Sequence, residues 1–152
     1  MISMKRSAVL LQRILPPVWC GMVLAIAIEA PLKFKAPGIT RELGLGIGKL
    51  VFSALNTAEL ALAAILAAAI FAFSSAKTAR FVFGVIALIL LVQTFWLIPI
   101  LMNRADIIIA GATPPDSSIH IFYIVFEAAK VILLLTLTVL LQLRESSEIE
   151  GI

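Results

Sequence analysis

Two glutamates and a lysine fall inside long apolar runs where they have no obvious access to water. Glu59, Glu127 and Lys130 are accompanied at helical spacing by Asn56, Gln93 and Tyr123. Carboxylates in such surroundings can hold a proton or a cation. An ammonium can balance them, and amides and a phenol supply further hydrogen bonds. Lys49, Phe52, Asn56 and Glu59 lie at offsets of 0, 3, 7 and 10, and His120, Tyr123, Glu127 and Lys130 repeat those offsets. With about 3.6 residues per turn, either set spans an arc of roughly 80°, a single stripe on one helix face.

Depth groups the same residues. Glu59 follows Lys49 by ten residues, Lys130 follows His120 by ten, and Gln93 precedes Asn103 by ten. At about 1.5 Å per residue, all three lie about 15 Å from a common boundary, near the middle of a hydrocarbon core about 30 Å thick. Asn56, Glu127 and Trp96 are a turn shallower, and Glu29 lies near the same mouth. A charge facing lipid at the bilayer centre costs about 2.5–3.5 kcal/mol on insertion scales, so these groups should turn inward. Glu59 is expected to pair with Lys130 across the second and fourth helices, which run in the same direction. Glu127 also has Lys130 three residues ahead on its own helix. One lysine cannot neutralise two glutamates, so the set has room for a further positive charge, a proton or a cation.

Each candidate has a plainer reading. Polar side chains also hold membrane helices together, at about 0.6 kcal/mol per hydrogen bond. Histidines exchange protons near neutrality, which makes His120 a candidate proton-uptake group or simply a solvated boundary residue. His120 with Glu29 and Glu127 could ligate a metal. However, no H-x-x-H, H-E-x-x-H or E-x-x-H pair is present, so no metal and no cofactor is expected. Lys33, Lys35, Lys49 and Arg104, with Arg41, are entrance charges that could attract an anionic solute or a lipid headgroup. They could equally be ordinary interfacial flanks. No nucleophile–base set is recognisable, and the chain is read as not an enzyme.

The elements that must position these groups are membrane helices. The chain has 152 residues, of which 62% are hydrophobic and 14% charged, with a mean hydropathy of +1.12. Soluble domains carry about 25% charged residues, and small ones bury the smallest share of their surface. A span needs about 20 apolar residues, so four nearly exhaust the chain. The expected fold is an all-α integral membrane bundle of four transmembrane helices. It forms one domain over 1–152, with spans near 8–30, 49–73, 81–102 and 119–143 and a mobile acidic tail over 144–152.

Local signals refine this outline. Lys5 and Arg6 open the chain, but Gln12 and Arg13 break the first apolar run, so the segment reads as a retained span rather than a signal peptide. Pro16 and Pro17 should kink the first helix or fall in its first turn, and Trp19 reads as an interfacial anchor. Pro37-Gly38 marks a turn, and Gly44, Gly46 and Gly48 read as a packing or hinge segment before the second helix. Pro99 is placed in the last turn of the third helix. Ile107 to Ala110 are expected to dip into the interface, and Ser117 or Ser118 to cap the fourth helix. Cys20 is the only cysteine, so there is no internal disulfide. The net charge of +3 is dispersed and does not suggest nucleic acid. Counting lysines and arginines on the two sides gives six with the termini against five opposite, which favours cytoplasmic termini. The matched stripes, with Pro31 and Pro99 near corresponding helix ends, suggest an internal duplication of two helix pairs.

The stretches P-L-K-F-K from Pro31 and G-K-L-V-F-S-A-L-N from Gly48, with Pro99, Arg104 and His120, resemble a family of small four-helix bacterial membrane proteins. It is the domain of unknown function that includes the transmembrane-205-like proteins. The resemblance implies four spans in a bacterial inner (cell) membrane and no established activity. The Glu127/Lys130 pair departs from its pattern.

Together these features predict a multi-pass protein with a buried charged site open toward the first and third connectors. That site would bind or move a proton, cation or small polar solute. The alternative is a non-catalytic accessory subunit or assembly factor whose polar stripes serve helix packing. The expected partners are the lipid bilayer and either further copies of the chain or a larger membrane complex, since 16.4 kDa offers little pore.

Overall fold

The computed structural model describes residues 2–73 and 76–149, with side chains over 4–73 and 76–143. It consists of helices α1 (Ile2–Leu32), α2 (Arg41–Phe73), α3 (Lys77–Val92), α4 (Ile98–Ile109) and α5 (Ile119–Ile149), with no strand among the described residues. A π-helical segment, Gln93–Leu97, joins α3 to α4, so Lys77–Ile109 is one continuous rod. Among the described residues, four helical stretches are long and apolar enough to cross a membrane: Met4–Lys35, Arg41–Phe73, Lys77–Ile109 and Ile119–Leu143. The all-helical architecture agrees with the expectation, and most of the differences are in where helices begin and end.

The second helix begins at Arg41, not Lys49. Thr40 accepts a hydrogen bond at Oγ1 from the Leu43 N–H at 3.2 Å, an N-cap that the glycine-rich stretch had obscured. Gly44 and Gly48 are buried helix residues rather than hinge residues. A Cβ on Gly44 would lie 2.4 Å from the Phe34 ring, and one on Gly48 would lie 3.2 Å from Lys33 Nζ. Their bare backbone thus lets the short 3-10 turn Lys33–Lys35 fold down onto α2.

The third span does not end at Met102. Pro99 has no N–H to give the Phe95 carbonyl, and its ring crowds that carbonyl. One turn earlier the ladder widens, and the Ile98 N–H reaches Gln93 O in a π-type bond, after which α4 continues. Its end is fixed by Gly111 at φ 81°, with the Gly111 N–H bonded to Ile108 O and the Ala112 N–H to Ile107 O. This pair of bonds is a Schellman stop, so Ile107–Ile109 form a final helical turn rather than an interfacial loop.

The outer helices are also longer than expected. Pro16 and Pro17 lie deep within α1, not in its first turn. Ser117 Oγ accepts from the Ile119 N–H at 3.2 Å at the start of α5, as expected of a cap there. The α5 backbone is helical to Ile149, past the boundary placed at Leu143. The side chains expected in the acidic tail, and residues 150–152, lie outside the described residues.

Around the bundle, α1 packs between α2 and α5. The third span crosses over, with α3 mainly against α5 and α4 mainly against α2. The half near the termini holds the main core, where Trp19, Leu66, Ile70, Ile86, Leu134 and Leu137 have no exposed surface. Among the described residues, the half near the first and third connectors holds a smaller buried cluster of Leu97, Ile119 and Tyr123.

Candidate functional site

The buried polar groups meet at the junction of those two halves. Glu59 on α2 is 2% exposed and Lys130 on α5 is fully buried, and the expected pair forms with Lys130 Nζ 2.5 Å from Glu59 Oε1. The ammonium also donates to Gln93 Oε1 at 2.9 Å and to Glu127 Oε1 at 3.2 Å. Its three N–H groups therefore have three oxygens on three different spans. Gln93 Nε2 in turn donates to Glu127 Oε1 at 3.2 Å. Trp19 Nε1 donates to Glu59 Oε1 at 2.8 Å, which brings α1 into the same network.

Trp19 was expected at an interface but is fully buried. An indole N–H in an apolar interior needs an acceptor, and the Glu59 carboxylate provides one. A depth signal was present in the sequence. Trp19 lies six residues past Arg13, about 9 Å by helix rise, which is deep for a headgroup anchor. Thr94 was also missed. Its hydroxyl donates to Asn56 Oδ1 at 2.8 Å, so Asn56 joins the third span rather than the charged pair. Adjacent residues on an ordinary helix point about 100° apart. Within the π segment, Gln93 and Thr94 both have partners inside the bundle.

The two glutamates are not equivalent. Glu59 and Lys130 are sealed, whereas the Glu127 side chain retains 14% exposure. Glu127 Oε2 lies 3.1 Å from Lys130 Nζ in charge contact, yet it receives no aligned hydrogen bond among the described residues. Of the network, only Glu127 lines a cavity of about 820 Å³ that occupies the connector half of the bundle. Two carboxylates against one ammonium leave the network with a formal excess of one negative charge.

The cavity walls come from every span and are mostly apolar. Val23 and Ala27 of α1, Leu55 of α2, Leu101 of α4 and Val131 of α5 face it. Phe34, Phe52 and Tyr123 add aromatic surface, with Phe52 and Tyr123 edge to face at 5.6 Å between centroids. The expectation was a buried charged site open toward the first and third connectors, and the lining adds apolar walls around the charged residues. The stripes on α2 and α5 are narrow, and the remaining positions of those helices fill the wall.

The expected entrance charges disperse. Glu29 is not part of the network. It pairs with Lys33 at 3.4 Å, and the Lys33 ammonium also sits 5.7 Å from the Phe34 and Phe52 ring centroids. Lys49 pairs with Asp106, a residue assigned to a loop in the sequence reading but carried on α4. Arg104 donates to the Pro115 carbonyl and ties α4 to the following loop. His120 is exposed at the cavity rim, and Lys35 and Arg41 are exposed away from the lining. At the opposite end, Gln12 donates to Ala69 O at 2.7 Å, an inter-helix tie that the sequence reading did not anticipate.

These features define a class: an all-helical bundle with four membrane-length apolar helices, pinned by a buried ion-pair network beneath a one-ended cavity. Compared with protein-family models, curated proteins and solved structures, the chain finds no match.

Proposed function

We propose that this protein is an integral membrane protein, with its termini on the cytoplasmic side of a bacterial inner membrane, that binds and moves a proton or cation at Glu127. The transmembrane-205-like resemblance belongs to the same proposal and supplies no activity of its own. One observation carries the reading. A buried network with one uncompensated negative charge presents a single carboxylate, Glu127, to a cavity. Ionisable groups within membrane helices are costly, and a site for charge is the reason most often found for them. The cavity ends at the network, and the half beyond it is packed closed. Movement across the bundle would therefore require that half to open while the connector half closes.

A second reading has its own support. Glu59 and Lys130 are saturated by contacts that join all four spans, which fits polar groups retained for packing in an accessory subunit or assembly factor. Proteoliposome flux, read with an entrapped pH dye or with radioactive sodium, separates the two. Glu127→Gln should keep its melting temperature and lose flux. Unchanged flux in a folded Glu127→Gln variant sinks the transport reading. Loss of melting temperature, or of a co-purifying partner, favours the accessory role.

A further inference from the structure

We infer that the cavity is a binding site for a lipophilic organic cation, a monovalent positive group carried on an apolar body. This rests on the reading of Glu127 as the cation-holding carboxylate and goes on to name its ligand class. Size is the first ground. At about 820 Å³ the cavity falls within the roughly 300–1,000 Å³ typical of sites for drug-sized molecules.

Charge and lining then act together. With Glu59 and Glu127 both ionised, the floor carries a formal excess of one negative charge, while the two lysines in the lining, Lys33 and Lys49, are each matched by a carboxylate. Positive charge on a ligand is therefore drawn inward to Glu127 and an anion is not. A bare inorganic cation fits poorly. Hard divalent ions take about six to eight oxygen ligands. Among the described residues, no three His, Cys, Asp or Glu side chains gather to supply them. A hydrated ion would set its water shell against Val23, Ala27, Leu55 and Val131. An organic cation brings apolar surface that suits those walls and keeps its charge for the carboxylate. Tyr123, one turn from Glu127 on α5, and Phe52, packed edge to face against it from α2, offer the aromatic surface that such cations favour.

The route in points to the same class. Leu24 on α1 and Ile124 and Ile132 on α5 line the cavity and are also 45%, 53% and 64% exposed on the outer surface. These side chains belong at once to the cavity wall and to the exposed surface of α1 and α5. In a bilayer that surface would face acyl chains, where amphiphiles concentrate. Glu127 lies between Ile124 and Ile132 in sequence, so a molecule entering there meets the carboxylate within about two helical turns.

The test is binding of radiolabelled tetraphenylphosphonium to purified protein in lipid nanodiscs, read by scintillation proximity. Saturable binding is expected, displaced by dodecylammonium and not by excess sodium. Glu127→Gln should weaken it by about tenfold or more, as loss of a buried charge partner does. Ala27→Phe and Ala128→Phe, which add bulk to the cavity lining from α1 and from α5, should abolish it while melting temperatures confirm folding. No saturable binding by folded protein, or binding that survives Glu127→Gln and both phenylalanine variants, overturns the inference. If the phosphonium fails to bind but Glu127→Gln still changes proton or sodium flux, the ligand class is wrong and the broader reading stands. If neither responds, both fall.

Discussion

The two halves of this bundle are built from the same helices but solve different problems. Near the termini, Trp19, Leu66, Ile86, Leu134 and Leu137 close the interior completely. Near the first and third connectors, the same four spans separate around a cavity. The change occurs at the π segment. Below it α3 lies on α5, and above it α4 leans onto α2, leaving α5 sparsely packed against the third span. Apolar contacts can close a helix bundle wherever helices stay parallel and near. Where one helix departs, the gap must be bridged by longer groups or left open. The Lys130 network bridges the gap at its base, and the cavity is what remains above it. The polar network is thus better understood as a floor between two regions than as the lining of a pore.

Substitutions can break or sharpen that contrast, and stability in detergent or nanodiscs measures it. The largest effect is expected from Lys130→Met, which leaves Glu59 and Glu127 buried without their ammonium. Removing one partner of a buried pair costs about 3–5 kcal/mol, so the variant should melt far below the parent or fail to accumulate. A Lys130→Met protein as stable as the parent would show that the network is not the floor of the cavity. Leu134→Ala in the closed half should cost about 2–5 kcal/mol by equilibrium unfolding, because its neighbours are already tightly packed. Trp19→Phe keeps an aromatic side chain but withdraws the N–H from Glu59 and leaves part of the indole's volume unfilled, and a loss of about 1–3 kcal/mol is expected from the hydrogen bond alone. The smallest total change should come from Ala128→Leu, at the cavity wall. Its extra atoms enter empty space, whereas Ala69→Leu, in the closed half, should lose about 1–3 kcal/mol to overpacking. Equal costs for the two alanine variants would erase the distinction between the halves.

Some of this was legible before any coordinates. Glu59 and Lys130 could be paired from the sequence because each follows a polar boundary residue, Lys49 or His120, by ten residues on helices of the same direction. An apolar interior leaves a buried carboxylate few options, and equal offsets along the two helices narrow them to one lysine. The helix ends were less legible. The glycines of Gly44 and Gly48 look like a hinge in isolation, and only the Phe34 ring and the Lys33 side chain packed on them explain why they are helical. Asp106 was missed for a similar reason: it lay beyond the expected end of the third helix, and the continuation into α4 changed its placement.

The sequence by itself determined four long apolar helices and the positions of charged residues along them, because hydropathy and helix rise act along a single chain. Tertiary structure alone decided that Glu127 faces the cavity while Glu59 is sealed, that Trp19 turns inward, and that the lysines in the cavity lining are already matched. Those outcomes depend on how far each helix is rotated and how closely its neighbours approach. Rotation and approach are fixed by side chains on other helices, which no local pattern in the chain encodes.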